Sequence, residues 1–119
     1  MSDVAGFDVY KKSLELSNNI WNICIQWECF TRNMIGYHLI RACDSISANL
    51  AEVKGRYSIK DNIHFCCYSR GNLDETKNCL RKVKTRNLIE NTQMTPINSE
   101  IIIIGKQLNE YVTSLKKRI

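Results

Sequence analysis

Apolar residues recur along this chain at intervals of three and four through successive stretches, the periodicity of a helix with one buried face. The first stretch carries Phe7, Tyr10, Leu14, Trp21 and Cys24, with Ile20, Ile23 and Trp27 widening the face, and predicts a helix over about residues 7–30. The second carries Ile35, Leu39, Ala42, Cys43, Ile46, Leu50 and Val53. Thr31 is placed to cap it and Gly55 to end it, so the helix is expected over about 33–54. In the third, Ile59, Cys66, Leu73 and Leu80 stand at heptad spacing, flanked by Ile63 and Val83. A capping pattern from Ser58 to Asp61 precedes them and sets a helix over about 59–88. Asn91 to Thr95 reads as a turn, with Thr95 as cap and Pro96 at the first helical position, where its missing N–H costs nothing. The fourth helix then covers about 96–117 on Ile97, Ile101, Ile104, Leu108, Tyr111 and Leu115.

Helices of this kind joined by short connections pack best as an antiparallel up-down-up-down bundle, because each short loop returns the chain beside its predecessor. The fold class is therefore all-α, a four-helix bundle formed by residues 1–119 as one domain. Five glycines and one proline leave few points at which to break the helices. Ile102 and Ile103 fall off the main stripe of the fourth helix and hint at a subunit interface.

Polar residues inside the second stripe carry more information than the stripe itself. Ser45, Asn49 and Glu52 recur at helical spacing among apolar neighbours, which suggests a helix that hides polar side chains. If the second and third helices run antiparallel, equal rise per residue sets Arg41 level with Asp74 and Glu75, Ser45 level with Ser69 to Gly71, and Glu52 beside Ile63. An ion pair between Arg41 and Glu75 is expected on that register. Gly71 in mid-helix costs about 1 kcal/mol against Ala, tolerable if its missing side chain lets the second helix approach closely.

These same residues carry a resemblance. Arg41-Ala42, Ser45-Ile46, Asn49-Leu50-Ala51-Glu52, Gly55-Arg56 and Gly71-Asn72-Leu73-Asp74-Glu75 resemble the pattern of the four-helix bundle proteins encoded in intervening sequences of bacterial 23S ribosomal RNA genes. That family includes the accessory variability determinant of diversity-generating retroelements, a basic protein that works beside a reverse transcriptase. The resemblance runs from Phe7 through the fourth helix. Val53 departs from it by standing where the family usually has Gly, and Ser69 and Asn72 replace an Ala and a Ser. The resemblance implies a homopentamer, a ring of bundles about a central channel, with nucleic acid and a reverse transcriptase as partners.

Seventeen Lys and Arg against twelve Asp and Glu give a net charge of +5, which favours an anionic partner without naming one. On the third helix Arg70, Lys77 and Lys84 follow at heptad spacing with Arg81 between them, a basic ribbon interrupted by Asp74. Lys82 and Arg86 add to its last turns, where cations also suit the helix dipole. A second cluster is expected at one pole of the bundle, from Lys11, Lys12, Lys54, Arg56, Lys60, Lys116, Lys117 and Arg118. Arg70, Lys77, Arg81, Lys82, Lys84, Arg56 and Lys60 are the candidate nucleic-acid contacts. They would read backbone and shape, since no aromatic RNA-binding signature is present.

Other chemistry is poorly supported. Cys24, Cys29, Cys43, Cys66, Cys67 and Cys79 show no paired CxxC spacing, and His38 and His64 stand apart, so neither a metal nor another cofactor is expected. Cys24, Cys43 and Cys66 fall on apolar faces as small hydrophobes, and burial makes a thiol inert. No phosphate loop or nucleotide fingerprint occurs. With no basic n-region after Met1 and no long apolar run, a cytoplasmic protein off the membrane is expected. The sequence thus points to a non-enzymatic basic bundle that binds nucleic acid. Its alternative is a scaffold that docks a reverse transcriptase or another protein through the apolar face of the fourth helix.

Overall fold

The computed structural model describes residues 4–53 and 58–119. Helix α1 spans Val4–Cys24; α2 runs through Cys29–Thr31, a π-helical turn at Arg32–Gly36 and Tyr37–Ala51; α3 spans Ile59–Thr85 and α4 spans Asn91–Lys116. Backbone angles at every junction within α2 are right-handed helical, so its parts form one rod. Contacts fix the topology. Asn19 bonds Glu100 while Gly6 lies against Tyr111, so numbers rise along α1 as they fall along α4. Ser17 meets Cys43, Ser69 meets Ile46 and Arg70 meets Asn109. The result is the expected antiparallel four-helix bundle, whose largest dimension is 47 Å.

The stripe read on the second helix is buried along its whole length, Ile35 through Val53, as is that on the fourth from Ile97 to Leu115. Along α1 and into the loop after it the pattern holds only in part: Ile20 and Cys24 are buried and Tyr10, Ile23 and Trp27 pack against the core, as expected. Phe7, Leu14 and Trp21 are exposed, and the core side is Val9, Ser13, Leu16, Ser17, Ile20 and Cys24. Both lines have helical spacing; the line containing small Ser13 and Ser17 faces inward because small side chains let the neighbouring backbones close on it. Ser13 satisfies its hydroxyl on the Val9 carbonyl at 2.8 Å.

Helix ends differ from expectation for local reasons. Helix α1 stops at Cys24, and Trp27 leaves the helix to pack on Gly36, where a Cβ would stand 3.4 Å from the indole. The indole N–H donates to the Leu88 carbonyl at 3.0 Å and ties the first loop to the third. Glu28, not Thr31, caps α2. Its carboxylate accepts from the Thr31 hydroxyl at 2.6 Å and from the Phe30 and Thr31 amides, and these bonds, the hydroxyl foremost, hold its carboxyl below the usual range. At the far end of α3, Asn87 takes a left-handed φ of 57° while Leu88 N–H reaches the Val83 carbonyl and Asn87 N–H the Lys84 carbonyl. This Schellman arrangement ends the helix at Thr85. Helix α4 begins at Asn91, before Pro96, because Glu90 and Gln93 cap it reciprocally. Thr95 is inside that helix and bonds the Asn91 carbonyl.

Candidate nucleic-acid interface

Helix α3 is the spine of the site, since it touches α2 on one side and α4 on the other. Its core face holds an apolar row of Cys66, Leu73 and Leu80. Beside it runs a polar row one heptad apart, Asn62, Ser69 and Thr76, exposed by 4%, 0% and 0%. Ser69 donates to the Ile46 carbonyl at 2.8 Å across the α2/α3 seam, and Thr76 donates to the Asn72 carbonyl in its own helix. The concealed polarity of this helix pair therefore lies mainly on α3. On α2, Ser45 and Asn49 are only half-buried and Glu52 is exposed at the C-cap.

The register of the pair is as expected, and its contacts are partly so. Ser45 turns its hydroxyl back to the Arg41 carbonyl at 2.8 Å instead of crossing to α3. Asn49 crosses, its amide facing that of Asn72 at 2.7 Å. With its amide turned over, Asn72 instead donates to the Tyr68 carbonyl at 2.9 Å. Arg41 and Glu75 stand on opposite walls of one cleft without pairing, and Arg41 donates to the Tyr37 hydroxyl at 3.3 Å. Two long, exposed side chains gain too little in water to be held together. Gly71 serves no close approach, because a Cβ there would meet nothing within 4 Å.

The candidate cations divide around α3. Arg70 hydrogen-bonds Asn109 of α4, and Lys77 pairs with Asp74 at 3.6 Å on its own helix. Lys77 and Arg81 border a groove with Met94, Asn98, Ile101 and Ile102 of α4. Lys84 is exposed near the same end. Lys82 turns to the other side, into the cleft of about 600 Å³ between α2 and α3 that also holds His38, Arg41, Asn72, Glu75 and Asn78. This cleft went unread in the sequence, because the constant residue-number sum sets Arg41 level with Glu75 and leaves Lys82 two turns further along α3. At the pole, Lys11, Lys60, Lys116 and Lys117 are exposed, and Lys12 is half-buried. Lys54 and Arg56 lie outside the described residues.

His38 and Cys79 line the same α2/α3 cleft. Burial pushes the Cys24 and Cys43 thiols up to about 12, against which a 3.6 Å bond from the Ser17 hydroxyl to Cys43 works only weakly. A raised thiol pKa adds stability below its ordinary 9.0 that is lost as pH climbs towards about 12. His38 and His64 are exposed. Among the described residues no group of three or more His, Cys, Asp or Glu could hold a metal ion, and no helix is long and apolar enough to cross a membrane.

The fold has a solved counterpart. A crystal structure of a protein with unknown function from the S23 ribosomal protein family of Bacteroides thetaiotaomicron superposes with a TM-score of 0.82 at 24% identity, covering 92% of this chain and 99% of that one. No curated protein matches the chain. The pattern of the 23S rRNA-intervening sequence proteins matches residues 6–110. Spanning both helix pairs and the motif from Arg41 to Glu75, that match makes the chain a member of the 23S rRNA-intervening sequence protein family.

Proposed function

We propose that this protein is a non-enzymatic, basic, homo-oligomeric bundle of the cytoplasm that binds nucleic acid through phosphate-contacting cations. The observation that carries the reading is the flank of α3, where Arg70, Lys77, Arg81 and Lys84 share one face, interrupted by Asp74, with Lys77 and Arg81 bordering the α4 groove. Cations in such a row neutralise successive phosphates whatever the sequence of the strand. The family's name refers to ribosomal RNA, which supports RNA as the ligand. Assembly is supported by two separate uncovered apolar patches, the α1 line of Phe7, Leu14 and Trp21 and the α4 pair Ile102 and Ile103. Different patches that pair head to tail generate a ring when the rotation closes, and a pentamer is the form the family resemblance implies. A ring multiplies weak phosphate contacts through effective concentration.

The test is fluorescence anisotropy of a labelled RNA or DNA strand at several salt concentrations, with light scattering for subunit number. We expect affinity to fall steeply with salt, and the combined change Lys77→Gln, Arg81→Gln and Lys84→Gln to lower the log–log slope by about 2. Binding without salt dependence, or a slope untouched by that change, rejects the reading. The second reading, a scaffold for a reverse transcriptase or other protein, is favoured by Ile102 at 70% exposure beside Lys77 and Arg81. It predicts no affinity for nucleic acid until the protein partner is added.

A further inference from the structure

The α2/α3 cleft is independent of the α3 flank and has its own chemistry. Arg41 lines it from α2 and Lys82 from α3, together with Glu75 and the amides of Asn72 and Asn78 on α3. Arg41 uses one donor on Tyr37 and keeps most of its guanidinium free, while Lys82 and Asn78 make no hydrogen bond or ion pair among the described residues. A cleft of about 600 Å³ lies within the usual range for small-ligand sites. Its opening is more polar than that of the apolar groove on the other side of Arg41, where Trp21, Ile25, Tyr37 and Ile40 dominate.

The ligand such a lining fits must be anionic at one end and rich in hydrogen-bond donors at the other. Arg41 offers a planar fork suited to two phosphate oxygens, and Lys82 a point charge on the opposite helix of the same cleft. Glu75 faces the same space as a pure acceptor and would repel a ligand that is anionic throughout. A phosphate next to ribose hydroxyls and an exocyclic amine meets all three demands, and the Asn amides can donate to and accept from a base edge. We propose that the α2/α3 cleft binds a single nucleoside monophosphate unit, phosphate on Arg41 and Lys82 and sugar or base on Glu75, Asn72 and Asn78. The unit is either a free nucleotide or one residue of a single strand. The second case rests on the nucleic-acid reading above, and the first does not.

Titration of the full chain with AMP, followed by amide NMR shifts, tests the site, with inorganic phosphate as the control probe. We expect saturable shifts at Ser45, Asn72, Glu75 and Asn78, and binding weakened about tenfold by Arg41→Gln or by Lys82→Gln. Lys77→Gln, on the other side of α3, should leave AMP binding unchanged. A short oligoribonucleotide that displaces AMP identifies a strand residue as the ligand; failure to displace identifies a free nucleotide, and the nucleic-acid reading then stands or falls on the α3 flank alone. The proposal is overturned if AMP shifts do not saturate or fall elsewhere, if both Gln variants bind as the parent does, or if inorganic phosphate binds as tightly as AMP. Strand binding that depends on Lys77 and Arg81 but not on Arg41 or Lys82 rejects a strand residue as the ligand of the cleft and leaves the α3 flank intact.

Discussion

The two sides of α3 treat charge in opposite ways. Facing α4, Arg70 is held by Asn109 and Lys77 by Asp74, so two of the four cations there are steadied by neighbours within the chain. Facing α2, the neutral groups are the ones that are tied, Ser69 to Ile46 and Asn49 to Asn72, while Arg41, Glu75 and Lys82 are left without one another in the cleft. A helix flank with steadied cations suits extended backbone contact, whereas unpaired charges around a concave polar wall suit one compact ligand. Counting basic residues along α3 merges these surfaces; their partners separate them.

The comparison can be broken most severely in the buried apolar row of α3. Leu73→Ala, at a site 1% exposed and beside Gly105 of α4, should cost about 2–5 kcal/mol in chemical denaturation and blur both surfaces at once. Ser69→Ala removes only the cross-seam bond to Ile46 and should cost about 1 kcal/mol, loosening the α2 side while Arg70 stays on Asn109. Gly71→Ala should instead stabilise by about 0.5–1 kcal/mol, since the helix gains propensity and the new Cβ meets open space. A loss of stability or of subunit number in that variant would show that another copy packs against Gly71.

Smaller effects distinguish charge in the cleft from charge outside it. Burial raises the Cys79 thiol above its ordinary range, with Lys82 working against the rise and Glu75 adding to it. At a fixed mildly alkaline pH, Lys82→Gln should therefore slow alkylation of Cys79 and Glu75→Gln should speed it, because only the thiolate reacts. Each rate should rise as pH approaches the elevated pKa. Glu75→Ala should melt within about 0.5 kcal/mol of the parent, since no ion pair with Arg41 is lost.

Much of this architecture was legible before any coordinates. The stripes of α2 and α4 are unambiguous because each offers one apolar face, and the α2/α3 register follows from equal rise per residue. On α1 two apolar lines compete, Phe7–Leu14–Trp21 and Val9–Leu16–Ile20; the stripe read from the sequence holds Ile20 and Cys24 but adds the large side chains of the exposed line and omits Val9 and Leu16. Helix ends were legible where one side chain caps its own neighbours, as Ser58 does for Asp61. They were not where a reciprocal cap at Glu90 and Gln93 outweighed the signal from Pro96. The candidate cations were all nameable, but their division between two surfaces was not, because Lys82 differs from Arg81 by one residue and so by about 100° around the helix.

The sequence by itself determined the all-α class, the antiparallel order, the buried stripes of α2 and α4 and the family motif, since periodicity and local spacing are properties of the chain alone. Only the tertiary structure decided which line of α1 turns inward, that Asn62, Ser69 and Thr76 carry the hidden polarity, and that Arg41 and Lys82 share a cleft. These outcomes depend on what stands opposite each side chain once the helices pack. No periodicity within one helix encodes its neighbour.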